Sequence, residues 1–165
     1  ETADGSGSEP EIIPGTILTF SSDLGAEYVT VPGRSWRWNV AGNPKLPDDI
    51  KPGLLMPTGN YTLQWDRVAN PPWQAIRNLR GKVNDAPFYD APAGHVLFLG
   101  ARARRQFEFM RNASMWSVEY AFSERSQAWN KFFRAESNDW IEVADGLGNP
   151  PYSAGDLNGL FLFGA

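Results

Sequence analysis

The sequence has no cysteine and a single histidine, His95, among its 165 residues. Without cysteine there is no disulfide framework, thiol nucleophile or thiolate metal site. One histidine alone leaves no multi-histidine metal centre and no second imidazole for a proton relay. A serine motif of the G-x-S-x-G type is also missing. No apolar run approaches the roughly 18 residues that a membrane-crossing helix needs, so no membrane partner is expected. The opening "ETADGSGSEP" carries neither an initiator methionine nor a hydrophobic leader, and the chain is expected to be processed or a piece of a longer product. A net charge of −4 and a pI near 5.0 argue against nucleic acid as a partner, which calls for a basic domain or stripe. No cofactor is expected, and no enzymatic activity.

Seven tryptophans, thirteen prolines and sixteen glycines point instead to short strands joined by irregular turns around an aromatic core. The expected fold is mainly β, an antiparallel β-sandwich or barrel with one short helix, an extended terminal arm and a long loop. Residues 1–14 are expected to form the arm, its first ten residues being acidic, rich in Gly and Ser and poor in apolar side chains. Residues 15–165 form a single domain of ordinary size.

Along the chain, 15–20 and 27–32 read as strands flanking the turn "SSDLGA", and 35–40 as a strand with Trp36 and Trp38 on one face. Four prolines then interrupt 41–60, a loop long enough to imply a functional or partner-binding reason. A strand over 61–68 precedes the one convincing helix, expected to be capped by Asn70, to run eight to ten residues with Trp73, Ile76 and Leu79 on its apolar face, and to end at Gly81. Two short strands flank "AESND" before a C-terminal tail with an apolar end.

"GHVLFLGARARRQFEF" (94–109) reads as the first strand of a hairpin whose second strand carries Trp116, Val118, Tyr120 and Phe122 on its apolar face. Joining apolar faces requires paired numbers with an odd sum, and a sum of 223 sets Arg104 opposite Glu119, with Ala101 and Ala103 opposite Phe122 and Tyr120. Arg102 and Arg104 then lie on the polar face and Arg105 on the apolar one, where an aromatic ring, a bulge or a neighbouring subunit receives it. A solvated strand face accounts for this cluster; anion or partner contact through Arg102, Arg104 and Arg105 is the functional alternative.

Other candidates are weaker. Scattered carboxylates, Asp48, Asp49, Asp66, Glu124, Glu136, Asp139 and Glu142, supply no pattern that singles out a catalytic pair. "DGLGN" (145–149) lacks the regular oxygen ligands of a calcium loop and reads as a glycine turn, so no metal site is expected. Trp36 and Trp38 are the candidate platform for the alternative function, carbohydrate binding by a β-sandwich module.

The stretch from Trp65 through "PPWQAIRNLRGKVN", "GHVLFLGARARR", "WSVEYAFSER" and "WNKFFR" to "GNPPYSAGDLNGLF" resembles uncharacterised proteins encoded among phage and prophage structural genes, over about residues 60–163. The resemblance implies a virion component. Its order of strands around one mid-chain helix is similar to that of tail-tube and neck or tail proteins, which are β-sandwiches or barrels that assemble into rings through loops and arms. The expected function is therefore a non-enzymatic structural protein located in the virion, forming a homo-oligomer and contacting other virion proteins. Its subunit contacts would come from Ile12 and Ile13 in the arm, Leu54, Leu55 and Met56 in the long loop, and Leu160, Phe161 and Phe163 in the tail.

Overall fold

A computed structural model describes residues 17–30, 39–45, 53–108, 113–134, 136–137 and 139–161. The chain is mainly β. Its strands are β1 (Ile17–Thr30), β2 (Gly53–Val68), β3 (Val83–Asn84), β4 (Val96–Glu108), β5 (Ala113–Arg125), β6 (Lys131–Arg134), β7 (Asp139–Glu142) and β8 (Ala154–Gly155). One helix, α1 (Trp73–Leu79), and a 3₁₀ turn (Leu157–Leu160) complete the order.

Six strands form one open sheet in the order β1-β2-β5-β4-β3-β8, and β6 with β7 forms a second, two-stranded sheet around "AESND" as expected. Every pairing is antiparallel except β3 with β8, which makes the larger sheet mixed.

The core lies on one face of β2, β5 and β4. Alternation places Tyr61, Leu63 and Trp65 of β2 beside Val118, Tyr120 and Phe122 of β5 and Val96 and Phe98 of β4, all buried. Over them sit Leu79 from α1, Phe88 from the β3–β4 connection, and Leu157, Leu160 and Phe161 from the C-terminal turn. Phe122 is central, with the rings of Tyr61, Phe88 and Phe98 at 5.1, 5.3 and 5.3 Å. Each such ring contributes about 2–3 kcal/mol through burial alone. Tyr120 keeps its polar end satisfied by donating to the Leu160 carbonyl at 2.8 Å, and burial pushes its hydroxyl pKa up.

Several expectations need correction. "SSDLGA" is not a turn: β1 runs through it in unbroken register with β2, from Ile17 opposite Asp66 to Thr30 opposite Gly53. Pairing along a whole strand overrides the local turn preference of Ser, Asp and Gly. Gly25 serves close approach, since a Cβ there would meet the Thr58 hydroxyl oxygen at 2.7 Å. The 41–60 loop is shorter than expected, because 53–60 belongs to β2; Val40–Asn43 closes a turn rather than extending a strand. Helix α1 has seven residues and starts after Pro72 with no side-chain cap, so Asn70 does not cap it.

Candidate interaction face of the sheet

The other face of the large sheet is covered at its Arg125 end, where Val83, Leu97, Ser123 and Arg125 are buried and the Arg125 guanidinium lies 4.9 Å from the Trp129 ring centroid, and is half-buried to exposed along Thr19, Gln64, Glu119 and Arg102. Its side chains follow from the register. Thr19, Gln64, Glu119 and Arg102 stand in one row across β1, β2, β5 and β4. In the next row Ile17 pairs with Asp66, the Ser117 hydroxyl donates to Asp66 Oδ1 at 2.6 Å, and Ser117 pairs with Arg104. A groove of about 450 Å³ is lined by Gln64, Asp66, Arg102, Arg104, Ser117 and Glu119 and includes Gln106.

Arg102 and Arg104 are therefore brought together on the polar face, as the parity argument requires, but not in the expected register. Past Gly100 the paired numbers sum to 221, so Arg102 rather than Arg104 faces Glu119, while Ala101 faces Tyr120 and Ala103 faces Val118. The cause is a bulge at Leu99, between Phe98↔Phe122 and Gly100↔Ala121. The extra residue flips side-chain parity, so Val96 and Phe98 point into the aromatic core, while Leu97 is buried on the opposite face and Leu99 is half exposed. An isolated glycine inside a strand pattern was the available signal for it.

Arg105 sits on the core side, directly opposite Trp116. Its guanidinium lies 5.9 Å from the Trp116 ring centroid, and Nη2 donates to the Ser114 hydroxyl at 3.0 Å. Trp116 in turn meets Trp73 edge-on at 5.1 Å. An aromatic ring within its own chain receives the arginine, which separates it from Arg102 and Arg104.

Asp66 accepts from Ser117 and from Gln64 Nε2, the latter at 3.0 and 3.3 Å, and these hydrogen bonds hold its carboxyl below the usual carboxylate range, Ser117 contributing most. A carboxylate kept ionised in this way is a weak base. Arg102 and Arg104 are both exposed and make no ion pair among the described residues. Their donor-rich guanidiniums suit planar anions such as carboxylates. The His95 ring is elsewhere, with Nδ1 2.9 Å from the Arg125 carbonyl oxygen.

The remaining candidates are placed as follows. Leu160 and Phe161 belong to the core, 1% and 9% exposed, which corrects their assignment to subunit contact. Leu54, Leu55 and Met56 lie on β2, not in a loop. Ile12, Ile13, Phe163, Trp36 and Trp38, with Asp48 and Asp49, lie outside the described residues. In "DGLGN", Asp145 Oδ1 accepts from the Leu147 and Asn149 amides at 2.8 and 2.9 Å and Oδ2 from Asn149 Nδ2 at 3.1 Å. Those bonds make the turn and draw the Asp145 carboxyl pKa down, the Asn149 amide first among the causes. Arg134 pairs with Glu136 across the tip of the small sheet at 2.8 Å. Among the described residues no cluster of three metal-ligating side chains occurs, and no helix is long and apolar enough to cross a membrane. No family model, curated protein or solved structure matches the chain.

Proposed function

We propose that this chain is a non-enzymatic structural component of a phage-like virion, in the tail or neck, which self-assembles through its extended segments. The virion assignment rests on the resemblance of residues 60–163. Assembly is supported by one feature of the fold. Among the described residues β5 pairs with β2 only from Thr58 onward, so Gly53–Pro57 and Ala26–Thr30 pair with each other alone, as a two-stranded ribbon beyond the reach of β5. A two-stranded ribbon alone in water is marginally stable, and pairing with a further copy is an effective way to secure it.

Light scattering and electron microscopy of the purified protein are expected to reveal rings or tubes. Aspartate at Leu54, Leu55 and Met56 is expected to abolish them while leaving the thermal unfolding of the core in place. A protein that stays monomeric at every concentration would overturn the reading. If that monomer also binds glycans, and loses binding in Trp36→Ala/Trp38→Ala, the carbohydrate-binding alternative replaces it.

A further inference from the structure

The polar face of the large sheet is electrically patterned. Its register stands the acids Asp66 and Glu119 on β2 and β5 and both arginines, Arg102 and Arg104, on β4. Two acids beside two arginines leave the patch without net charge, so it selects neither an acidic nor a basic partner. It does fit a surface that carries the same two columns in the reverse order. Beside the groove already described lies another of about 460 Å³, and Arg102 and Glu119 line both. Small residues, Ser117, Ala121 and Gly100, lie among the linings and leave room for a long side chain arriving from outside.

Arg102 and Glu119 stand directly opposite each other, yet neither forms an ion pair among the described residues, and Arg104 faces the neutral Ser117. Donors and acceptors are therefore left over on this face. Consider a two-fold axis running along the strands between β4 and β5. It turns a second copy over, so that the β4 of each copy lies on the β5 of the other. Glu119 then meets Arg102 of the second copy, and Arg102 meets its Glu119. Asp66 falls one strand spacing, about 4.8 Å, to the side of Arg104 of the second copy. Stacked sheets lie about 10 Å apart, a gap that an extended arginine and an extended glutamate fill from opposite sides. An axis across the strands would set arginine on arginine and acid on acid, so the first orientation is the complementary one.

We propose that this polar face docks on the same face of a second copy, with Glu119 of each on Arg102 of the other and Asp66 and Arg104 adding an outer pair. The contact is isologous and closes after two copies. Exposed ion pairs are individually weak, so the association is sensitive to salt. It goes beyond the ribbon-mediated assembly proposed above, uses a different surface, and stands or falls separately.

The test uses two charge reversals in the full chain, Arg102→Glu and Glu119→Arg. All chains also carry aspartate at Leu54, Leu55 and Met56, which removes the ribbon contact, and sedimentation velocity follows each across a dilution series at low salt. The chain without a reversal is expected to dimerise, and each reversal alone to weaken dimerisation about tenfold or more. An equal mixture of the two reversed chains is expected to recover it, because an acidic face then meets a basic one. Each reversal also sets like charges across β4 and β5 within its own chain, but that persists in the mixture, so recovery reports the contact between copies alone. In about 1 M salt, where the Debye length is about 3 Å, the dimer should dissociate. Circular dichroism checks folding, and Arg104→Glu with Asp66→Arg supplies a second pair if either reversal fails to fold. An unreversed chain that stays monomeric, reversed chains that dimerise as well as it does, or a mixture that stays monomeric would overturn the inference. Any of these results alongside rings from chains with native Leu54, Leu55 and Met56 would overturn it alone and leave the ribbon reading standing.

Discussion

Asn84 shows how a single polar side chain can organise a connection. It is 2% exposed, and its Nδ2 donates to the Ala86 and Pro92 carbonyls at 2.7 and 2.9 Å while Oδ1 accepts from the Val96 amide at 2.8 Å. The three bonds tie both ends of the β3–β4 connection to its middle and hold Phe88 over the sheet. Removing the amide strands buried backbone groups, each of which costs about 1–3 kcal/mol when left unsatisfied. Asn84→Ala is therefore expected to lower stability by about 3 kcal/mol in denaturant unfolding, and Asn84→Asp to lower it as well because the carboxylate offers no donor. The sequence gives little warning of this role, since Asn84 and Asp85 look alike in a turn-forming stretch and only the fold buries one of them.

The β4–β5 hairpin depends on the bulge at Leu99. Gly100 adopts φ +145°, and a Cβ there would make only an ordinary 3.6 Å contact with the Arg80 side chain. The cost of Gly100→Ala is thus conformational, expected at about 2 kcal/mol. Gly59→Ala, at an ordinary φ with 3.8 Å to the Glu124 Cβ, is expected to change stability by less than about 1 kcal/mol. Paired unfolding curves check the contrast. Much at this scale was legible from the residues: the alternation of Trp116 to Phe122 located β5's buried face, the odd sum located Arg102 and Arg104, and "AESND" located the β6–β7 turn. The register was not legible, because parity admits sums of 221 and 223 equally and the choice falls to the bulge. The continuity of β1 was equally hidden, since the residues that cancel its turn signal are 31 to 41 positions away in β2.

At the scale of the molecule, one face of the sheet carries the aromatic core and the other is covered only at its Arg125 end, and the C-terminal turn closes the core side. Composition marks "LNGLFLF" as an apolar end but does not say whether a neighbour or the chain itself absorbs it. The structure answers for Leu157, Leu160 and Phe161: the Phe161 ring packs on Trp65 and Tyr120 at 5.4 Å each, and the Leu160 carbonyl accepts a hydrogen bond from the Tyr120 hydroxyl. A core plug and a subunit contact differ in a measurable way. Leu160→Ala leaves a cavity beneath the turn and is expected to cost about 3 kcal/mol. Because the contact is intramolecular, that loss should be the same at every protein concentration, whereas a residue acting through an interface loses stability in a concentration-dependent manner. Unfolding followed across a hundredfold dilution separates the two. An invariant destabilisation keeps Leu160 in the core plug and leaves the β1–β2 ribbon as the described segment proposed for assembly, and a deficit that varies with dilution would return the tail to the interface.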